Sequence, residues 1–116
     1  MNIRKNVLES GIVVMEISGN IRMGADCDRI TLETEQMIAR QQSRVIFDFA
    51  QLDYLDSAGI GMLVNCLSKL KRAGGGLRLA SLKPMVAGVF KLTKLDSVVG
   101  IFPSVAEAAQ DFPLSR

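Results

Sequence analysis

The most restrictive feature of the sequence is one amphipathic helix set between two apolar runs. From Ser57 to Ala73, the residues Ile60, Leu63, Val64, Leu67 and Leu70 recur at spacings of three and four, with Asn65, Ser68, Lys69, Lys71 and Arg72 on the other side. Arg44 to Ala50 precedes it as a strand in which Val45, Phe47 and Phe49 alternate with Ile46, Asp48 and Ala50, and Gln51 to Asp56 reads as a loop. Gly74, Gly75 and Gly76 end the helix, and Leu77 to Leu82 supplies the next strand. A strand, a helical crossover and another strand form a βαβ unit, so the two strands lie parallel with a right-handed connection.

The rest of the chain builds around that unit. Ile3 to Leu8 and Ile12 to Ile17, joined through Ser10 and Gly11, read as a hairpin with one more polar face. Asp26 to Gln41 reads as a helix with Cys27, Ile30, Thr34, Met37 and Ile38 on one face and Leu32 off the stripe. Pro84 suits the first turn of a further helix carrying Val86, Val89 and Phe90, and Val98 to Phe102 fits an edge strand. Ser104 and Glu107 match a capping box that opens a last helix with Val105, Ala108, Ala109 and Phe112. The order β-β-α-β-α-β-α-β-α is α/β, with a mixed, mostly parallel sheet of four to five strands. At 116 residues and 48% hydrophobic, residues 1–116 are expected to form a single domain.

Composition excludes whole classes of chemistry. There is no histidine, so no Ser-His-Asp or Cys-His machinery and no imidazole ligand or acid/base group is available. Cys27 and Cys66 form no Cys-x-x-Cys pair and read as small hydrophobes in a reducing compartment. A net charge of +2 and 5% aromatics without tryptophan do not suit nucleic acid, and no apolar run approaches the ~20 residues of a membrane span. A cytoplasmic protein with neither cofactor nor metal is expected. The residues leave monomer and dimer open.

One segment stands out. In Asp53-Tyr54-Leu55-Asp56-Ser57-Ala58-Gly59-Ile60-Gly61 an acidic loop, a serine and two glycines converge on the start of the strongest helix. A helix N-terminus stabilises an anion, so a phosphate on Ser57 would be tolerated there, adding about −1.5 to −2 charges. Gly59 and Gly61 would let a partner's backbone come close. Equally, Asp56 or Ser57 simply caps the helix, a role worth about 1 kcal/mol. Val64 stands where a third glycine would complete a dinucleotide fingerprint, which disfavours that reading. Asp48, Asp53 and Asp56 could hold Mg²⁺, although acids from one strand end make a poor cage. Lys69, Lys71, Arg72, Arg78 and Lys83 read as a solvated basic region, and Met23, Met62 and Met85 as filler or adaptable contact surface.

The run Asp56-Ser57-Ala58-Gly59-Ile60-Gly61, preceded by Val45-Ile46-Phe47-Asp48-Phe49-Ala50-Gln51-Leu52 and followed by the helix and glycine turn, resembles a STAS domain. Within that family it is most similar to the bacterial anti-sigma factor antagonists of the SpoIIAA type, from about the second strand through Ala109. The resemblance implies a SpoIIAA-like fold with helices mainly on one sheet face, and partner switching rather than catalysis. It implies that Ser57 is phosphorylated by an anti-sigma factor that is also a serine kinase, and that a metal-dependent serine phosphatase reverses this. The unphosphorylated form would bind the anti-sigma factor and free a sigma factor, and the phosphorylated form would let go. By the same resemblance Asp56, Ala58, Gly59 and Ile60, with the loop residues Asn20 and Arg22, would meet the partner. Two departures follow from the residues themselves: Ala58 removes a second hydroxyl found in many relatives, and Arg22 stands where many have an acid. The alternative is a constitutive STAS subunit or scaffold, in stress signalling or lipid transport, with Ser57 as a helix cap.

Overall fold

The computed structural model describes residues 1–113; the last three residues of the expected 1–116 domain lie outside the described residues. Strands β1 (Asn2–Val7) and β2 (Val13–Ile21) are followed by helix α1 (Ala25–Ala39) and strands β3 (Arg44–Asp48) and β4 (Leu52–Leu55). Helix α2 (Ser57–Arg72), strand β5 (Gly76–Ala80) and helix α3 (Pro84–Leu92) come next. A 3-10 turn at Leu95–Ser97 then leads to strand β6 (Gly100–Phe102) and helix α4 (Val105–Gln110). The sheet runs β1-β2-β3-β5-β6, antiparallel between β1 and β2 and parallel beyond, as the βαβ reading requires.

Six strands replace the expected four to five, because Leu52–Leu55, read as loop, is a strand, and β2 is longer than expected so as to pair with it. β2 does not stop at Ile17; it continues through Gly19, whose φ of 92° accommodates a bulge, and ends at Ile21. Its overhang beyond β3 pairs in parallel with Leu52–Leu55, the supposed acidic loop. Pairing with the overhang satisfies the backbone of both segments.

Two apolar layers hold the sheet. Val13, Met15, Ile17, Val45, Phe47, Phe49, Leu77 and Leu79 point to one side, against α1, α2 and α3. On the other side Ile12, Val14, Ile46 and Ala80 are covered by Ala108 and Phe112 of the α4 region, so the face expected to be more polar is partly a second small core. Arg78 secures this cover by reaching Asp111 at 2.5 Å and lying 4.2 Å over the Phe112 ring. Burying each of the large side chains stabilises the fold by about 1.5–3 kcal/mol.

The buried face of α2 is rotated from the expected stripe. Met62 and Cys66 pack inward with Leu63, Leu67 and Leu70, while Val64 is 41% exposed. Cys66 lies against Thr34 of α1, whose hydroxyl donates to the Ile30 carbonyl at 2.9 Å, so the one buried polar side chain at that contact is satisfied. Both thiols are reduced, and burial pushes Cys66 and Cys27 above the usual thiol range, which keeps them from acting as thiolates. Among the described residues no helix is long and apolar enough to cross a membrane.

Candidate functional site

The C-terminal ends of β2 and β4 deliver two loops to the start of α2. Because Ile21 and Leu55 are register partners, Arg22 and Asp56 leave the ladder side by side, and the Asp56 N–H donates to the Ile21 carbonyl at 3.2 Å. Asp56 is the N-cap in extended backbone geometry, and its Oδ1 accepts from the Gly59 N–H at 2.9 Å. Its Oδ2 accepts from the Met23 N–H, also at 2.9 Å. One carboxylate therefore ties the β2–α1 loop to the helix start. The loop is braced again where the Arg22 N–H donates to Asp26 at 3.1 Å and the Cys27 thiol donates to the Arg22 carbonyl at 3.3 Å.

This arrangement separates two roles that were open in the sequence. Of the two cap candidates it is Asp56 that caps, so Ser57, exposed at the first helical position, has no capping duty, and the assignment of the cap to Ser57 is corrected. Asp56 in turn accepts one internal amide on each carboxylate oxygen and so positions the loop.

Gly59 is buried, and a Cβ there would meet Ile21 Cγ2 at 3.1 Å and Leu55 Cβ at 3.3 Å, so its smallness seats α2 on β2 and β4. Gly61 has open space around it. Ala58 is half-buried and Ile60 packs partly on the core, leaving only part of each to the surface. Asn20 is half-buried opposite Tyr54, and Arg22 is exposed with its guanidinium 5.7 Å over the Tyr54 ring.

The three acids do not converge on a metal. Asp48 accepts from its own loop at the Ala50 N–H, Asp53 pairs with Lys83 at 2.6 Å, and Asp56 holds two amides. Among the described residues no group of three or more His, Cys, Asp or Glu side chains could hold a metal ion. The sequence reading placed Tyr54 in a supposed loop, whereas it stands half-exposed on β4, and it left Met23 open between filler and contact surface, whereas Met23 is 77% exposed. The alternation of Asn20 and Arg22 about Ile21 is the signal that strand and exposed face continue past Gly19.

The Met23 and Gly59 amides hold the Asp56 carboxyl below its ordinary value of 3.8. A depressed folded pKa stabilises above the unfolded value and is lost as pH falls through the folded one. Asp56→Asn should therefore melt below the parent at neutral pH, with the gap closing as the solution is acidified past 3.8. Parallel thermal melts across the acid range check this; a gap that does not change with pH would remove the carboxylate's charge from the account.

The STAS domain model matches residues 4–108. BtrV of Bordetella bronchiseptica is 28% identical over 102 residues, covering 88% of this chain and 87% of its own. The crystal structure of TM1081 from Thermotoga maritima superposes with a TM-score of 0.86 at 19% identity, covering 94% of this chain and 92% of that one. The Bacillus anti-sigma factor antagonist SpoIIAA, solved unphosphorylated and phosphorylated, superposes with a TM-score of 0.72 at 19% identity in both forms. The unphosphorylated form covers 95% of this chain and 96% of its own, the phosphorylated form 94% and 97%. With the family model spanning nearly all of it and the fold in agreement, the chain belongs to the STAS domain family.

Proposed function

We propose that this chain is a cytoplasmic anti-sigma factor antagonist that switches partners and catalyses no reaction. The start of α2, together with Arg22 and the exposed parts of Asn20, Ala58 and Ile60, docks onto a kinase-type anti-sigma factor and so releases a sigma factor. Phosphorylation of Ser57 ends the docking, and a metal-dependent serine phosphatase restores it. The observation that carries the reading is an exposed serine at the first position of a helix whose capping is done by its neighbour. A group with no structural task can gain two charges without weakening the fold. The anti-sigma factor antagonist SpoIIAA, which shares the fold and exists in both phosphorylation states, supports it.

The test is incubation of the chain with its cognate kinase and ATP, followed by peptide mapping. Phosphate should appear on Ser57, and Ser57→Ala should abolish its incorporation while still docking. Because Asp56 holds the cap, Ser57→Ala should also change unfolding free energy by less than about 0.5 kcal/mol, not the ~1 kcal/mol of a lost cap. Phosphate on another residue, with Ser57→Ala still a substrate, refutes the assignment. Denaturant unfolding gives the stability arm independently of any partner.

A further inference from the structure

We infer that Arg22 is the internal counter-ion of phosphorylated Ser57, so that the phosphate acts on the docking surface a second time by drawing Arg22 off Tyr54. The inference rests on the reading of Ser57 as the modified residue and adds how the modification is registered. Its basis is the inventory of charges around the helix start. On the acidic side stand Asp56, whose carboxylate adjoins Ser57 and repels a phosphate there, Asp26 on the first turn of α1, and Asp53 on β4. On the basic side stand Lys83 and Arg22, and Lys83 is already engaged with Asp53 at 2.6 Å.

Arg22 makes no ion pair among the described residues, and its guanidinium lies over the Tyr54 ring at 5.7 Å. Its backbone cannot drift, because its N–H is held by Asp26 and the next N–H by Asp56, the residue preceding Ser57. A long, flexible cation is thus anchored beside Asp56, the residue preceding the serine, resting on a ring in an exposed contact that is weaker than a charge-assisted bond to a phosphate dianion. Once Ser57 carries phosphate, the guanidinium turns from the ring to the phosphate oxygens. The surface then loses a cation and bares an aromatic ring in the same event. No backbone movement is required, since the Asp56 cap and its bond to Met23 use atoms the phosphate leaves alone.

The full chain, with phosphoserine installed at position 57 during translation, is compared with the same protein carrying Arg22→Gln or Arg22→Lys. These substitutions leave the fold intact, because only the main chain of Arg22 is hydrogen-bonded. Phosphorus NMR titration should place the second phosphate pKa about half a unit higher in Arg22→Gln than in the parent, with most of the difference restored by Arg22→Lys and erased in high salt. In the unmodified chain the Arg22 side-chain protons should be shielded by the Tyr54 ring, the chain's single tyrosine, and should move downfield when Ser57 carries phosphate. Equal phosphate pKa values in the Arg22→Gln variant and the parent, or Arg22 resonances unmoved by the modification, would overturn the inference. Neither measurement uses the kinase or the partner, so failure here is separate from a failure of the kinase to choose Ser57.

Discussion

Phosphoserine at position 57 should weaken binding to the anti-sigma partner about a hundredfold, read by titration calorimetry of the modified and unmodified chains. The expectation follows from where the charge would stand. The Ser57 hydroxyl is exposed at the start of α2 and next to the Asp56 carboxylate, so docking over it would bury a dianion beside another negative charge. A buried charge left without compensation at an interface costs about 2–5 kcal/mol, and each 1.4 kcal/mol is about tenfold, so a hundredfold lies well inside the expected range. Ser57→Asp brings a single charge on a shorter arm and should show a smaller loss, about tenfold. Amide spectra of the free protein should change only near Ser57 and the β2–α1 loop, because the helix cap is untouched. Affinities within a factor of about three between the two forms would show that phosphate charge is not the switch.

The largest effect on stability is expected at Gly75, in the middle of the glycine triplet. Gly74 has a φ of 91° and ends α2 in a Schellman motif, in which the Gly75 N–H donates to the Leu70 carbonyl at 2.9 Å and the Gly74 N–H to Lys71 at 3.0 Å. Gly75 has no such conformational need, but a Cβ there would be driven into the Ser43 carbonyl, which is backbone and already accepts from the Gly76 N–H at 2.9 Å. The start of β3 and the start of β5 can meet only if this position lacks a side chain. Gly75→Ala should cost about 3 kcal/mol or more, because relief requires separating two strands of the central sheet. At Gly76 a Cβ would meet chiefly the end of the Arg78 side chain at 2.8 Å, which can swing aside, so Gly76→Ala should cost about 1 kcal/mol or less. Urea unfolding of the two variants checks the contrast, and similar midpoints would contradict the close strand approach at Ser43.

The triplet also shows what kind of information a linear pattern carries. Three glycines after a basic helix end announce a stop, and the stop is there; that the first serves a left-handed turn and the second a backbone contact depends on Ser43, which lies far away in the chain. The βαβ unit, the opening hairpin and the capping at Ser104 were legible for the same reason, since each is a local periodicity or a turn. Leu52–Leu55 was not, because only its two end leucines are buried and its strand character comes from pairing with the overhang of β2. The strand read as ending at Ile17 runs on through Gly19 for a related reason: a glycine that accommodates a bulge looks, in one dimension, like one that ends a strand. At the site, the serine at a helix start could be found by inspection. The assignment of the cap to Asp56 could not, since two adjacent cap-competent residues differ only in which oxygen reaches the Gly59 amide. The placement of Arg22 on Tyr54 likewise required the β2–β4 pairing.

That pairing carries a consequence for how the protein meets anything at all. Asn20, one of the last rungs of β2, and the loop after it that carries Arg22 lie against the start of α2, on a strand paired with β1, β3 and β4, and the loop is tied down by Asp56. Such a surface has no melting transition of its own and loses little disorder on association, so encounter should proceed as a rigid-body collision limited by orientation. The converse is a vulnerability: a mutation deep in the sheet that touches no partner lowers the fraction of molecules competent to dock, and would reach the cell as a signalling defect.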